Sequence, residues 1–202
     1  MDVALKKFGF KNKMVWHNDI ELPKSDLVVL PGGFSYGDYL RCGSVASKSR
    51  IMKSVINFAK GGGKVMGVCN GFQILTESGL LPGVLLRNKY LEFICKNIFV
   101  KINHKENPYF KDLKKDTLKL HIAHNEGNYF CSNEQIKEID DNNQIALYYS
   151  DKDGNINNQN NPNGSIKNIA GIFNKEKNIL GMMPHPERMI DPDLSGEDGS
   201  IF

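Results

Sequence analysis

The stretch "GKVMGVCNGFQIL", Gly63 to Leu75, constrains the fold more than any other part of the chain. Lys64 to Val68 reads as a buried strand, and Phe72, Ile74 and Leu75 begin a helix that Gly79 closes. Between them, Gly67-Val68-Cys69-Asn70-Gly71 has the form G-x-nucleophile-x-G, a tight strand-to-helix turn that lifts its central side chain out of a sheet. The glycines let neighbouring backbone pass close by. The sulfur then sits at a helix N-terminus, where unpaired N–H groups and the helix dipole favour an anion. Free thiols have a pKa near ~8.5, and a helix N-terminus with a nearby imidazolium can lower it. Cys69 is therefore a candidate nucleophile, expected to exist largely as a thiolate.

A thiolate needs a base and a group that orients the base. Met183-Pro184-His185-Pro186-Glu187-Arg188 supplies both. The two prolines keep the residues before them out of helical conformation, so the segment is read as extended. Residues two apart then face the same way, and His185 and Glu187 form a base–orienter pair. The third requirement is a pair of donors for an oxyanion. Leu30-Pro31-Gly32-Gly33-Phe34 follows the apolar run Leu27–Leu30, and the backbone N–H groups of Gly33 and Asn70 are the expected pair. His121 and His124 lie three apart in an expected strand, point to opposite faces and make a poor metal pair.

Along the chain, residues 1–8 read as part of a helix, Met14–Trp16 as a short strand, Leu27–Leu30 as a buried strand and Ser44–Lys60 as an amphipathic helix. Helix and strand alternate, which argues for an α/β domain with a mostly parallel central sheet flanked by helices. In the second half, Phe93–Ile102, Leu118–His124, Ile145–Ser150, Ile169–Phe173 and Ile179–Met183 look like strands with few helices between them. They are expected to add antiparallel hairpins to the main sheet. Asp151–Asn168, rich in Asn and Gly, reads as a polar surface loop with an Asn163-Gly164 turn.

Length and charge narrow the class. The 202 residues carry a net charge of +3 with scattered lysines, which gives nucleic-acid binding little support. No apolar run is long enough to span a membrane. The four cysteines, Cys42, Cys69, Cys95 and Cys131, are irregularly spaced with no C-x-x-C pair, as expected of a reduced, cytoplasmic protein with no metal site. Gly61-Gly62-Gly63-Lys64 precedes a strand rather than a helix, so it is not a phosphate loop.

Taken together, P-G-G, G-x-C-x-G-x-Q and H-P-E resemble the triad-type glutamine amidotransferases. The runs "PGGFSYGDYLRCG", "GVCNGFQIL", "HNEGNY", "NPNGS", "IAGI" and "GMMPHPER" are similar to the glutaminase subunits of phosphoribosylformylglycinamidine synthases. The resemblance spans nearly the whole chain. It implies a flavodoxin-like amidotransferase fold and hydrolysis of glutamine through Cys69, His185 and Glu187 by way of a glutamyl thioester. Gln73 and Asn125 would bind glutamine. Ammonia would pass to a separate ATP-using synthetase subunit of de novo purine biosynthesis, often with a small third subunit. The chain itself would need no cofactor, with ATP and Mg²⁺ on the partner. Ser35–Arg41, beside the oxyanion loop, would contact the synthetase or gate ammonia. Members of this family open with a strand and a P-G-S-N loop and close with a C-terminal helix. Residues 1–202 are thus expected to be one amidotransferase domain truncated at both ends, lacking the first strand and last helix. Two other readings of the motifs stay open: a stand-alone cysteine amidohydrolase, and a non-catalytic binding subunit on the same scaffold.

Overall fold

The computed structural model describes residues 1–111, 113–193 and 196–201. In chain order the elements are α1 (Asp2–Lys7), β1 (Leu27–Leu30), α2 (Arg50–Lys60), β2 (Lys64–Val68), α3 (Asn70–Glu77), β3 (Val84–Leu86), β4 (Ile94–Ile102), β5 (Thr117–His124), β6 (Asn128–Phe130), α4 (Asn133–Asp141), β7 (Ile145–Ser150), β8 (Ile169–Phe173) and β9 (Ile179–Met182). Seven strands form one sheet in the order β1-β2-β9-β8-β7-β4-β5, and β3 and β6 form a two-stranded sheet.

The sheet is mixed. Only β1–β2 and β2–β9 are parallel, while β9–β8, β8–β7, β7–β4 and β4–β5 are antiparallel. This corrects the expectation of a mostly parallel sheet. Parallel neighbours need a crossover, usually a helix, and α2 provides one between β1 and β2. Between β8 and β9 the chain turns straight back through a five-residue link, so that pairing is antiparallel, and the longer 151–168 segment brings β8 back antiparallel to β7. The α/β class and the added antiparallel strands stand.

Local reasons follow the residues. In α2, Ile51, Met52, Val55 and Ala59 are buried at helical spacing. The expected helix over Ser44–Lys60 is broken, because Ser49 is extended at the N-cap of α2 and Ala46–Lys48 form a separate 3₁₀ turn. The middle strands β8 and β9 are buried throughout, as strands covered on both faces must be. Met14–Trp16 is no strand: Met14 and Trp16 are largely exposed, and three apolar residues found no partner to pair with. Helix α4 begins with a capping box, in which the Ser132 hydroxyl and the Gln135 side chain satisfy each other's backbone N–H.

The Asn-rich segment 151–168 is not a polar surface loop at its far end. Asn163, Ser165 and Asn168 are buried, and burial of such groups requires hydrogen bonds. Asn163 Nδ2 donates to the Gly127 carbonyl at 2.8 Å and the Tyr149 hydroxyl at 3.1 Å. Ser165 Oγ accepts from the Tyr129 N–H at 3.0 Å and donates to the Gly127 carbonyl at 3.2 Å. The segment thereby buttresses the turn at 125–127 from below.

Candidate active site

The site follows from strand register. Leu30 stands opposite Gly67 in β1–β2, and Val68 opposite Met182 in β2–β9. Three adjacent parallel strands therefore end together, and ligands of open α/β sheets bind at carboxyl ends of strands. The chain leaves β1 as Pro31-Gly32-Gly33, leaves β2 as Cys69, and leaves β9 as Met183-Pro184-His185. The middle strand carries the thiol, its neighbours the oxyanion loop and the base.

Cys69 is the N-cap of α3 with φ 50° and ψ −106°, a conformation disfavoured for a residue with a side chain. The flanking glycines make it possible. A Cβ at Gly71 would lie 1.9 Å from the Leu30 carbonyl oxygen, and one at Gly67 would lie 2.7 Å from the Gly71 backbone. Helix α3 can approach β1 and β2 only without those carbons. The Cys69 N–H donates to the Met182 carbonyl at 2.8 Å, which ties the elbow to β9.

Cys69 and His185 share one small volume. A Cβ placed on Gly32 would lie 2.5 Å from His185 Cε1 and 3.4 Å from Cys69 Cβ. His185 is 1% exposed, and its Nδ1 is 2.7 Å from Glu187 Oε1. Among the described residues, His185 Nε2 and Glu187 Oε2 are buried without a hydrogen-bond partner. Here His185 is extended, but Pro186–Arg188 form a 3₁₀ turn rather than the fully extended run expected, and the turn brings Glu187 back to the ring. The His185 N–H donates to the His121 carbonyl at 2.8 Å, fixing the base to β5. Burial opposes ionisation of Glu187, but the hydrogen bond and charge of His185 outweigh it and hold the carboxyl below its usual range.

The thiol departs from expectation. Burial pushes Cys69 up to about 12, against the smaller lowering effects of the Asn70 backbone N–H and Arg188. The helix N-terminus does favour the thiolate, but desolvation of a group 4% exposed is larger. Burial thus favours the thiol over the thiolate expected from the helix terminus; the sulfur lies 3.7 Å from the Ala123 carbonyl, within reach of an S–H donor.

Asn70 and Gln73 knit the walls together. The Ser35 N–H donates to Asn70 Oδ1 at 3.1 Å, Asn70 Nδ2 donates to Gln73 Oε1 at 2.9 Å, and Gln73 Nε2 donates to the Glu126 carbonyl at 2.7 Å. Gln73 thus spans from α3 to the turn carrying Asn125, whose carbonyl accepts from the Asn88 N–H at 2.9 Å. Gly33 lies exposed with φ 149°, in the region that favours glycine. The sequence reading placed Asp38 in the Ser35–Arg41 loop and Glu126 in the HNEGNY run but gave neither an individual role at the site. Both carboxylates, with burial the larger effect, push the Cys42 thiol up, and Asp38 Oδ1 is buried without a hydrogen-bond partner among the described residues. Burial, offset in part by Cys42, raises the Asp38 pKa. Only the charged D in the Gly37-Asp38-Tyr39 run could have flagged it. Beyond the oxyanion loop, Phe34, Tyr39 and Leu40 are 71–77% exposed, and Tyr36, Asp38 and Leu40 have φ of 55°, 55° and 69°. Among the described residues, no three His, Cys, Asp or Glu side chains converge as metal ligands, and no helix is long and apolar enough to cross a membrane.

Comparison with known proteins meets this geometry. Residues 1–195 match the model of the CobB/CobQ-like glutamine amidotransferase domain. The whole chain is 84% identical to the phosphoribosylformylglycinamidine synthase subunit PurQ of Pelagibacter ubique, of which it covers 89%. It is 49% identical to the PurQ subunit of Sulfurimonas denitrificans over 97% of this chain and 87% of that one. In the solved PurLQS structure from Thermotoga maritima, a 37% identical chain superposes with a TM-score of 0.85 over 98% of this chain and 86% of that one. The chain belongs to the PurQ family of phosphoribosylformylglycinamidine synthase subunits, within the CobB/CobQ-like glutamine amidotransferases.

Proposed function

We propose that this chain hydrolyses glutamine to glutamate and ammonia, and that the ammonia serves the synthetase that makes formylglycinamidine ribonucleotide in de novo purine biosynthesis. The observation that carries the reading is the convergence of Cys69, His185 and Glu187 at the ends of β2 and β9, with His185 Nε2 left unpaired. Glu187 accepts the Nδ1 proton of His185, so Nε2 is the basic nitrogen. It takes the Cys69 proton as the sulfur attacks the side-chain amide carbon of glutamine. Backbone N–H groups of Gly33 and Asn70 hold the oxyanion; losing one such donor costs about 10²–10³ in rate. His185 protonates the departing ammonia, and water, activated by the same nitrogen, cleaves the glutamyl thioester.

Asn125 contacts the bound glutamine, while Gln73, with both ends of its amide engaged, positions the 125–127 turn. Asp38 and Glu126 give the cleft the negative charge that suits the ammonium of an amino-acid substrate. The partners are the ATP-using synthetase and a small third subunit; ATP and Mg²⁺ belong to the synthetase. The exposed apolar loop over Phe34–Leu40 is the face offered to it, since exposed aromatic and aliphatic side chains grouped beside a site mark interaction surfaces. Leu40→Asp should weaken synthetase binding at least tenfold; unchanged affinity would remove the loop from the interface. For the chemistry, Cys69→Ala should abolish glutamate release while the complex still forms and still uses free ammonia. Glutamate release by Cys69→Ala at the unsubstituted rate would end the reading.

A further inference from the structure

Three of the four cysteines are buried, and Cys95 on β4 is exposed. In the β4–β5 ladder Cys95 stands opposite Ala123, and Asn97 opposite His121. Residues two apart on a strand share a face, so the side chains of Cys95, Asn97 and His121 emerge together. Cys95 Sγ is 3.5 Å from His121 Nε2, and His121 Nδ1 is 3.0 Å from Asn97 Oδ1. An amide oxygen has no proton to give, so Nδ1 carries the hydrogen and Nε2 presents its lone pair to the thiol. Burial, with Arg188 and His185 nearby and Glu187 acting in the opposite sense, lowers the pKa of His121 and keeps the ring a neutral acceptor at neutral pH. The result is a thiol, a base and an orienter in hydrogen-bonding sequence, the general pattern of an activated nucleophile.

None of these three side chains takes part in the glutamine chemistry described above; His121 hydrogen-bonds that site only through its main-chain carbonyl, and its ring feels the site's charges at a distance. The contrast with Cys69 is direct. That sulfur is 4% exposed and pushed up to about 12 by burial. Towards reagents from bulk solvent, the resting protein presents its other thiol.

We propose that Cys95, with His121 as its base and Asn97 as the base's orienter, is a second nucleophilic thiol that exchanges with low-molecular-weight disulfides. The Cys95 proton passes to His121 Nε2. The thiolate attacks one sulfur of the disulfide, its S–S bond breaks, and a mixed disulfide forms at Cys95. The departing thiolate takes the proton from His121. Cys95 is oxidised, the released half of the reagent is reduced, and no further oxidant enters. The adduct stands on the residue opposite Ala123, whose carbonyl faces Cys69.

The test uses the full chain, glutathione disulfide at neutral pH and peptide mass spectrometry over time. Cys95 should gain the glutathionyl group at least tenfold faster than Cys42, Cys69 or Cys131, and dithiothreitol should remove it. His121→Gln should slow labelling of Cys95 at least tenfold. Asn97→Leu, read in parallel in case the first variant folds poorly, should slow it several-fold. All three chains should react alike when denatured, which separates activation from simple access. Labelling of Cys95 no faster than the buried thiols, or at the same rate in both folded variants, would overturn the proposal. The readout is adduct mass rather than glutaminase activity, so it stands or falls apart from the reading of the glutamine site.

Discussion

Gly32→Ala probes the site with one carbon atom. Gly32 is not among the residues with positive φ, so alanine fits its backbone. The new Cβ would lie 2.5 Å from His185 Cε1 and 3.2 Å from Nδ1. Carbon atoms pack at about 3.5–4.0 Å, so the imidazole must retreat by about 1 Å. It cannot do so freely, being 1% exposed and held by Glu187 through the side chain and by His121 through the main chain. Overpacking of this kind costs about 1–3 kcal/mol of stability, while a 1 Å misplacement of a reacting group costs about 10² in rate. The protein should therefore remain folded, with thermal unfolding still cooperative, and lose about a hundredfold in kcat for glutamine hydrolysis. A steady-state glutaminase assay beside a thermal melt reads both quantities. A kcat within twofold of the unsubstituted enzyme would show that the Gly32–His185 approach does not govern the chemistry.

Two further outcomes follow from buried polar groups. Asn163→Ala leaves the Tyr149 hydroxyl and one bond of the Gly127 carbonyl unmatched in the interior, and should lower stability by about 2 kcal/mol or more in urea unfolding; a loss below measurement error would deny this segment its supporting role. Glu187→Gln should lower glutaminase kcat less than His185→Ala does. It should also flatten the acid limb of stability: because the folded carboxyl is held below its ordinary value, its contribution is full above that value and is lost as pH falls through the lowered one. Melts of both proteins between pH 3 and pH 7 (a range spanning about the ordinary carboxylate pKa) check this, and equal pH dependence would count against it.

What could be read from the residues was what local spacing decides. The elbow around Cys69 needs two glycines at fixed offsets, and the pairing of His185 with Glu187 needs only Pro186 between them, although a 3₁₀ turn rather than an extended run brings the two together. What could not be read depends on distant partners. The antiparallel hairpin of β8 and β9 is legible in the sequence, but nothing near Ile179 states that β9 also runs parallel to β2. Helix α4 carries a local signal in Ser132 and Gln135, but its apolar face is only Ile136 and Ile139, too narrow to stand out as a periodic stripe. The polar composition around Asn163 and Ser165 points to the surface; their burial is a matter of the Gly127 and Tyr149 groups waiting above them. The state of the thiol is hidden for a similar reason. The helix terminus is visible in sequence, but the depth of burial that outweighs it is not.

The most direct test is covalent. A glutamine-like electrophile, such as a chloroketone analogue, should bind in the cleft and alkylate Cys69, with the adduct located by peptide mass spectrometry. The sulfur at the strand end should be modified in a way that excess glutamine prevents, and His185→Ala should slow the reaction at least a hundredfold. Alkylation at Cys69 that ignores both glutamine and the loss of the imidazole would mean that thiol and base, though close in space, do not act as one unit.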